Sequence, residues 1–185
     1  MKSIVVSLVL LMATVVGACA PSLGDGGEDV ARLSHAIATL GPDIDPAEAQ
    51  RAAQIAYRHA TALATAYEVT TSPILHNTLV NSGVKERGLC FHYAEDMQTR
   101  LQSENFQSLS ILRAIAEPRN GFRIEHSTAV VAPVGTDIYN GIVIDAWRHG
   151  GKLYWSATSQ DPRYDWEPRM TVLRRKDALR TANGS

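Results

Sequence analysis

The spacing of the apolar residues changes once along the chain, and that change limits the folds open to it. Val30, Leu33, Ile37 and Leu40 recur at helical intervals, and Gly41-Pro42 ends the run. A long helix is expected from Asp45, with Asp45 as cap, Pro46 in the first helical position and Glu48 completing a capping-box-like Asp-x-x-Glu, running to about Tyr67. A shorter helix follows from Pro73 to about Asn81, and another from Cys90 to Gln102, where Ala94, Met97 and Leu101 repeat at helical spacing. Beyond that point the pattern is strand-like: 109–116, 126–133 and 141–147, then a hairpin turn at Arg148-His149-Gly150-Gly151-Lys152 and a return strand over 152–156. Helices first and an antiparallel sheet after them define an α+β class, with N-terminal helices packed on an antiparallel β-sheet.

The first eighteen residues belong to a different kind of segment. Lys2 provides a short positive start, and an apolar run from Ile4 to Val16 follows, too short for a transmembrane helix of roughly 20 residues. It ends at Val16-Gly17-Ala18-Cys19, which resembles a lipobox: an aliphatic residue, two small ones and a cysteine. The resemblance implies export, cleavage before Cys19 and lipidation of that thiol. The stretch 19–28 then reads as the lipidated cysteine and a Gly- and acid-rich tether, 29–180 as one α+β domain, and 181–185 as a disordered tail. By resemblance to proteobacterial lipoprotein sorting, Ala20 rather than Asp after the cysteine implies the periplasmic face of an outer membrane, in an organism that has one. With a formal net charge of −1 there is no basic patch that would suit nucleic acid.

The chain has two cysteines. If Cys19 is consumed as a thioether, Cys90 is the only thiol of the mature protein, in a compartment that oxidises stray thiols. It is therefore either buried and inert or kept for chemistry. Its expected place in the first turn of a helix favours a thiolate. His126 opens the first clear strand and Asp145 lies in the next. A hairpin centred between Gly135 and Thr136 puts them opposite each other, and a slip of one or two residues makes them diagonal neighbours. A carboxylate that fixes an imidazole, with the other ring nitrogen turned to a thiol, is the arrangement a cysteine nucleophile requires.

Gly88-Leu89-Cys90 at a helix start, with His126 and Asp145 on adjacent strands, resembles the transglutaminase-like cysteine enzymes of the papain-like superfamily over about Gly83 to Trp147. The resemblance implies a papain-like/transglutaminase-like core, Cys90 as nucleophile, His126 as general base and acid, and Asp145 as its orienter. Phe91, Ser127-Thr128 and Ala146 stand where that family often has Trp or Tyr, Ala-Trp and Pro, which leaves the substrate class open. Papain-like enzymes often complete the oxyanion hole with an upstream side-chain amide, so Asn77 and Asn81 are candidates.

Each residue also has a plain reading: Cys90 as a small core residue, His126 and Asp145 as a structural pair. Cys90-x-His92 does not face one metal site on a helix, so neither metal nor cofactor is expected. Trp147, Tyr154, Trp155 and Trp166 suit core packing, or else the wall of a groove. Two functions follow. One is a lipid-anchored cysteine hydrolase or acyltransferase acting on a peptide-like amide. The other is a non-catalytic lipoprotein that binds an envelope partner. Under both, the lipid is the contact with the membrane.

Overall fold

The helices begin where local chemistry satisfies their free N–H groups. The computed structural model describes residues 25–117 and 124–183. Helix α1 spans Asp25–Ala38 and α2 spans Pro46–Ala66. The Asp45 side chain accepts from the Ala47 N–H at 2.8 Å, and Pro46 occupies a position whose N–H has no helical acceptor. Glu48 does not turn back to complete a capping box. It is buried and accepts from the Gln107 and Ser108 N–H groups at 2.7 and 2.8 Å and from the Ser108 hydroxyl at 2.6 Å. It thus ties α2 to the start of the sheet across 60 residues of sequence. Helix α3, Pro73–Asn81, starts behind Ser72, whose hydroxyl accepts from Leu75. Helix α4 is Cys90–Gln102.

Strands β1 (Leu109–Ala116), β2 (His126–Pro133), β3 (Ile142–His149), β4 (Lys152–Ala157) and the short β5 (Glu167–Pro168) form one antiparallel sheet in the order β4-β3-β2-β1-β5. Alternation sorts the side chains to two faces. Leu109, Ile111, Ala129, Val131, Ile142 and Ile144 meet α2 and α4 in the main core. Ala114, Ala116, Val130 and Val143 point the other way, to Ile138 and Trp166. The α+β class and the antiparallel sheet expected from the periodicity are therefore present.

Several boundaries differ from the sequence reading. Helix α1 begins at Asp25, inside the stretch read as tether. Arg148 and His149 belong to β3, and the turn is Gly150-Gly151 alone, both with positive φ. At Gly151 a Cβ would lie 2.2 Å from Ala64 Cβ, so only glycine lets the hairpin close onto α2. Helix α5, Arg169–Asn183, was not expected at all and takes in residues 181–183 of the predicted tail. The signal segment 1–18 and Cys19 lie outside the described residues. Among the described residues no helix is long and apolar enough to cross a membrane.

Candidate active site

The turn before α4 is held from both sides. His76, buried on α3, engages the Arg87 carbonyl through Nε2 at 3.0 Å. Gly88, at φ +123°, passes so close that a Cβ would lie 2.2 Å from that ring. His92 supplies what Leu89 cannot as an N-cap: its Nδ1 accepts from the Gly88 and Leu89 N–H groups at 3.1 and 3.3 Å. Burial, and then the charge of Arg87, lower the His92 pKa, which keeps the ring neutral and able to accept. Arg87 in turn binds both Asp96 carboxylate oxygens at 2.9 and 3.0 Å, and the Tyr67 hydroxyl donates to Asp96 at 2.5 Å. His92 and Asp96 therefore position the loop that presents Cys90.

Cys90 is half-buried in the first turn of α4. Its sulfur is 3.8 Å from the carbonyl oxygen of Glu125, the residue before His126. By strand alternation His126 shares a face with Thr128 and Val130, the face away from α4. The start of α4 still lies beside the start of β2, where the Cys90 sulfur approaches the Glu125 carbonyl and acts on the His126 ring electrostatically. His126 is fully buried. Its Nε2 is 2.6 Å from Asp145 Oδ2, while Nδ1 has no hydrogen-bond partner of ordinary geometry. Burial alone would lower the pKa of this imidazole. The charge and hydrogen bond of Asp145, and then the electrostatic influence of Cys90, outweigh it and raise the pKa to about 9. Asp145 is pushed up by burial but held below its ordinary range, by His126 first and then by Arg148.

The register between β2 and β3 pairs Ala129 with Ile144, Val130 with Val143 and Val131 with Ile142. Extended by one pair, it sets Asp145 opposite Thr128, so His126 and Asp145 are diagonal neighbours on one face. A bulge follows Asp145 in its pairing with β4. The displaced backbone turns the Trp147 and Arg148 N–H groups onto Asp145 Oδ1, each at 3.1 Å.

Sequence reasoning missed the rest of this network. Arg148 Nε donates to Asp145 Oδ2 at 2.9 Å, and its two terminal nitrogens bind Asp161 at 3.2 and 2.6 Å. The guanidinium lies 3.7 Å from the Tyr154 ring centroid and 4.8 Å from that of Tyr164. Trp166 Nε1 donates to Asp161 as well, at 3.0 Å. Trp147, Tyr164 and Trp166 enclose the His126 ring, with centroids 4.8, 4.6 and 5.5 Å away. The late aromatics thus surround the imidazole and its carboxylate, and none of them lines the cleft at Cys90. Trp155 lies elsewhere, donating to the Tyr57 hydroxyl at 2.9 Å.

That cleft has a volume of about 490 Å³, and both Asn77 and Asn81 line it. The structure distinguishes them. Trp147 Nε1 donates to Asn77 Oδ1 at 3.1 Å. An indole N–H can only donate, so the Asn77 oxygen is committed to Trp147 and its NH2 group carries two donors for other use. Asn81 is exposed. Among the described residues no group of three or more His, Cys, Asp or Glu side chains is arranged to hold a metal ion. Comparison of the chain with family models, with curated proteins and with solved structures finds no match.

Proposed function

We propose that this chain is a lipid-anchored cysteine hydrolase or acyltransferase of the cell envelope, with a papain-like/transglutaminase-like core, acting on a peptide-like amide. The observation that carries the reading is a half-exposed helix-N-terminal thiol that interacts with a buried imidazole, one nitrogen of which is held by a carboxylate while the other has no hydrogen-bond partner. A pKa of about 9 keeps His126 protonated near neutral pH, and in the proposed reaction Cys90 acts as a thiolate beside that imidazolium. The thiolate attacks the amide carbonyl. The oxyanion takes hydrogen bonds from the Cys90 backbone N–H, which has no acceptor at a helix start, and from the Asn77 NH2. The His126 Nδ1–H protonates the departing amine, leaving a thioester. Water, or an acceptor amine, then gives its proton to Nδ1 and attacks the thioester, which restores the thiolate and imidazolium. Asp145 keeps the ring oriented throughout and balances its charge.

Two measurements test this reading. Native protein is expected to be alkylated by iodoacetamide at pH 6 to 7, well below the roughly 8.5 at which an ordinary thiol ionises. His126→Ala is expected to slow that reaction by about tenfold at pH 6.5 while the fold is kept. A Cys90 that reacts only after denaturation retires the enzymatic reading and leaves an anchored binding domain. For the anchor, an alkyne fatty acid fed to expressing cells is expected to label the wild-type chain and not Cys19→Ser. Equal labelling of both removes the lipoprotein assignment.

A further inference from the structure

Two guanidinium groups in the Cys90 cleft have no ion-pair partner among the described residues. Arg113 on β1 and Arg169 at the start of α5 both line it. Arg113 donates to the Phe91 carbonyl at 3.4 Å and to the Ser127 hydroxyl at 3.2 Å, both neutral acceptors, and its Nε is buried without a partner. Arg169 is exposed and makes only a long contact to the Met170 sulfur, at 3.9 Å. Neither guanidinium forms an ion pair with a carboxylate among the described residues. Two carboxylates do line the same cleft. Glu125 is paired with Lys176, and Glu95 makes no hydrogen bond or ion pair with either arginine. A guanidinium that is desolvated, short of an acceptor and close to a second one is an anion receptor.

We propose that the Cys90 site selects substrates carrying a carboxylate next to the scissile amide, with Arg113 as the principal receptor and Arg169 as a second contact at the rim. This rests on the enzymatic reading of Cys90 and narrows its substrate class. The carboxylate belongs either to an acidic side chain or to a free chain end, and both present the same planar anion. Burial, and then the charge of Arg169, weaken the hold of Arg113 on its proton against the smaller opposing effects of Glu95, Cys90 and Asp96, and a bound carboxylate would relieve that net destabilisation.

The test uses two reagents that differ in this group alone. Iodoacetate and iodoacetamide react by the same step: the thiolate sulfur bonds to the CH2 carbon and iodide leaves with the C–I pair. The ratio of their rates on Cys90 cancels the thiolate fraction, and glutathione in the same buffer supplies the reference ratio. The iodoacetate-to-iodoacetamide ratio is expected to exceed that of glutathione by about tenfold. It is expected to fall by about tenfold in Arg113→Gln and about threefold in Arg169→Gln, and to shrink in 0.5 M NaCl. Arg169 is exposed, so its variant keeps the fold, and Arg113→Lys retains the charge if the glutamine variant does not fold. In a second arm, millimolar N-acetyl-Gly-Gly with a free carboxylate, and N-acetyl-Glu-Gly-amide with a blocked end, are each expected to slow iodoacetamide if they carry the preferred anion, whereas N-acetyl-Gly-Gly-amide is not. The more protective of the two identifies the source of the carboxylate. A rate ratio insensitive to both arginines overturns the proposal while leaving the nucleophile in place. So does a preference for iodoacetate without protection by either acidic peptide. A Cys90 inert to both reagents removes the enzymatic reading and this inference with it.

Discussion

Asp145→Ala is expected to lower the unfolding free energy by about 3–5 kcal/mol, more than any other single truncation in the site. The carboxylate is shared by His126 Nε2, Arg148 Nε and the Trp147 and Arg148 backbone N–H groups, all of them in the interior. Removing it leaves two buried cationic groups without their common partner. Arg148 keeps Asp161, whereas His126 keeps nothing but the sulfur. Asp145→Asn retains a hydrogen-bond acceptor without the charge and is expected to cost less, about 1–3 kcal/mol. If the His126 charge is what Asp145 balances, the double variant Asp145→Ala/His126→Ala is expected to be less destabilised than the two single losses added together. Urea unfolding of the wild type, the three single variants and the double variant checks this. A loss below about 1 kcal/mol for Asp145→Ala shows that the buried ion pair is not formed. This prediction also governs how enzymatic tests are read: a drop in activity on changing Asp145 mixes folding with catalysis, so Cys90 and His126 are the informative positions.

How much of this was legible in the sequence depended on whether the signal was local. Helix α3 was legible from Pro73 and α4 from the spacing of Ala94, Met97 and Leu101, because proline positions and helical periods act within one or two turns. Strands β1 to β4 were legible from equally local patterns, whereas the two-residue β5 was not. Helix α5 was not. Among the side chains of Arg169–Asn183 only Val172 is buried, so it has no apolar stripe to read. It is tethered instead by ion pairs of Arg175 with Glu117 and Glu167, and of Lys176 with Glu125. His126 and Asp145 could be brought within reach of each other because a hairpin centred between Gly135 and Thr136, or slipped by one or two residues, leaves them neighbours. Arg148 read as a turn residue, because a bulge cannot be inferred from alternation when Gly150-Gly151 follows at once. The burial of Asp161 depends on Arg148, 13 residues away. Choosing Asn77 over Asn81 required knowing where the Trp147 indole points. What remained hidden was what depends on long-range polar partners.

The charged state of His126 makes stability fall on the alkaline side. The ring is fully buried and its pKa is raised from about 6.5 to about 9. A group whose pKa is raised by folding binds its proton more tightly in the native state. Its contribution is therefore complete below about pH 6.5 and is lost as the pH rises through about 9. Asp145 acts in the opposite direction. Its lowered pKa adds stability above its ordinary value near 3.8, which is lost as acid protonates it. The pair is thus most stabilising between about pH 4 and pH 6.5, and the alkaline loss is about 3 kcal/mol, counted once for the pair. Urea unfolding at pH 6 and at pH 9.5 is expected to show that loss, and His126→Gln, which carries no titrating ring, is expected to abolish it. In Cys90→Ala, which removes thiol titration from both states, the loss is expected to persist but shrink, because the sulfur contributes to the raised pKa. An alkaline limb of the same size in His126→Gln as in the wild type assigns it to another group and removes the resting imidazolium. The pH range in which His126 gives up its proton is also the range in which it can no longer protonate a leaving amine. Stability and turnover are therefore expected to decline together above about pH 8, from one ionisation.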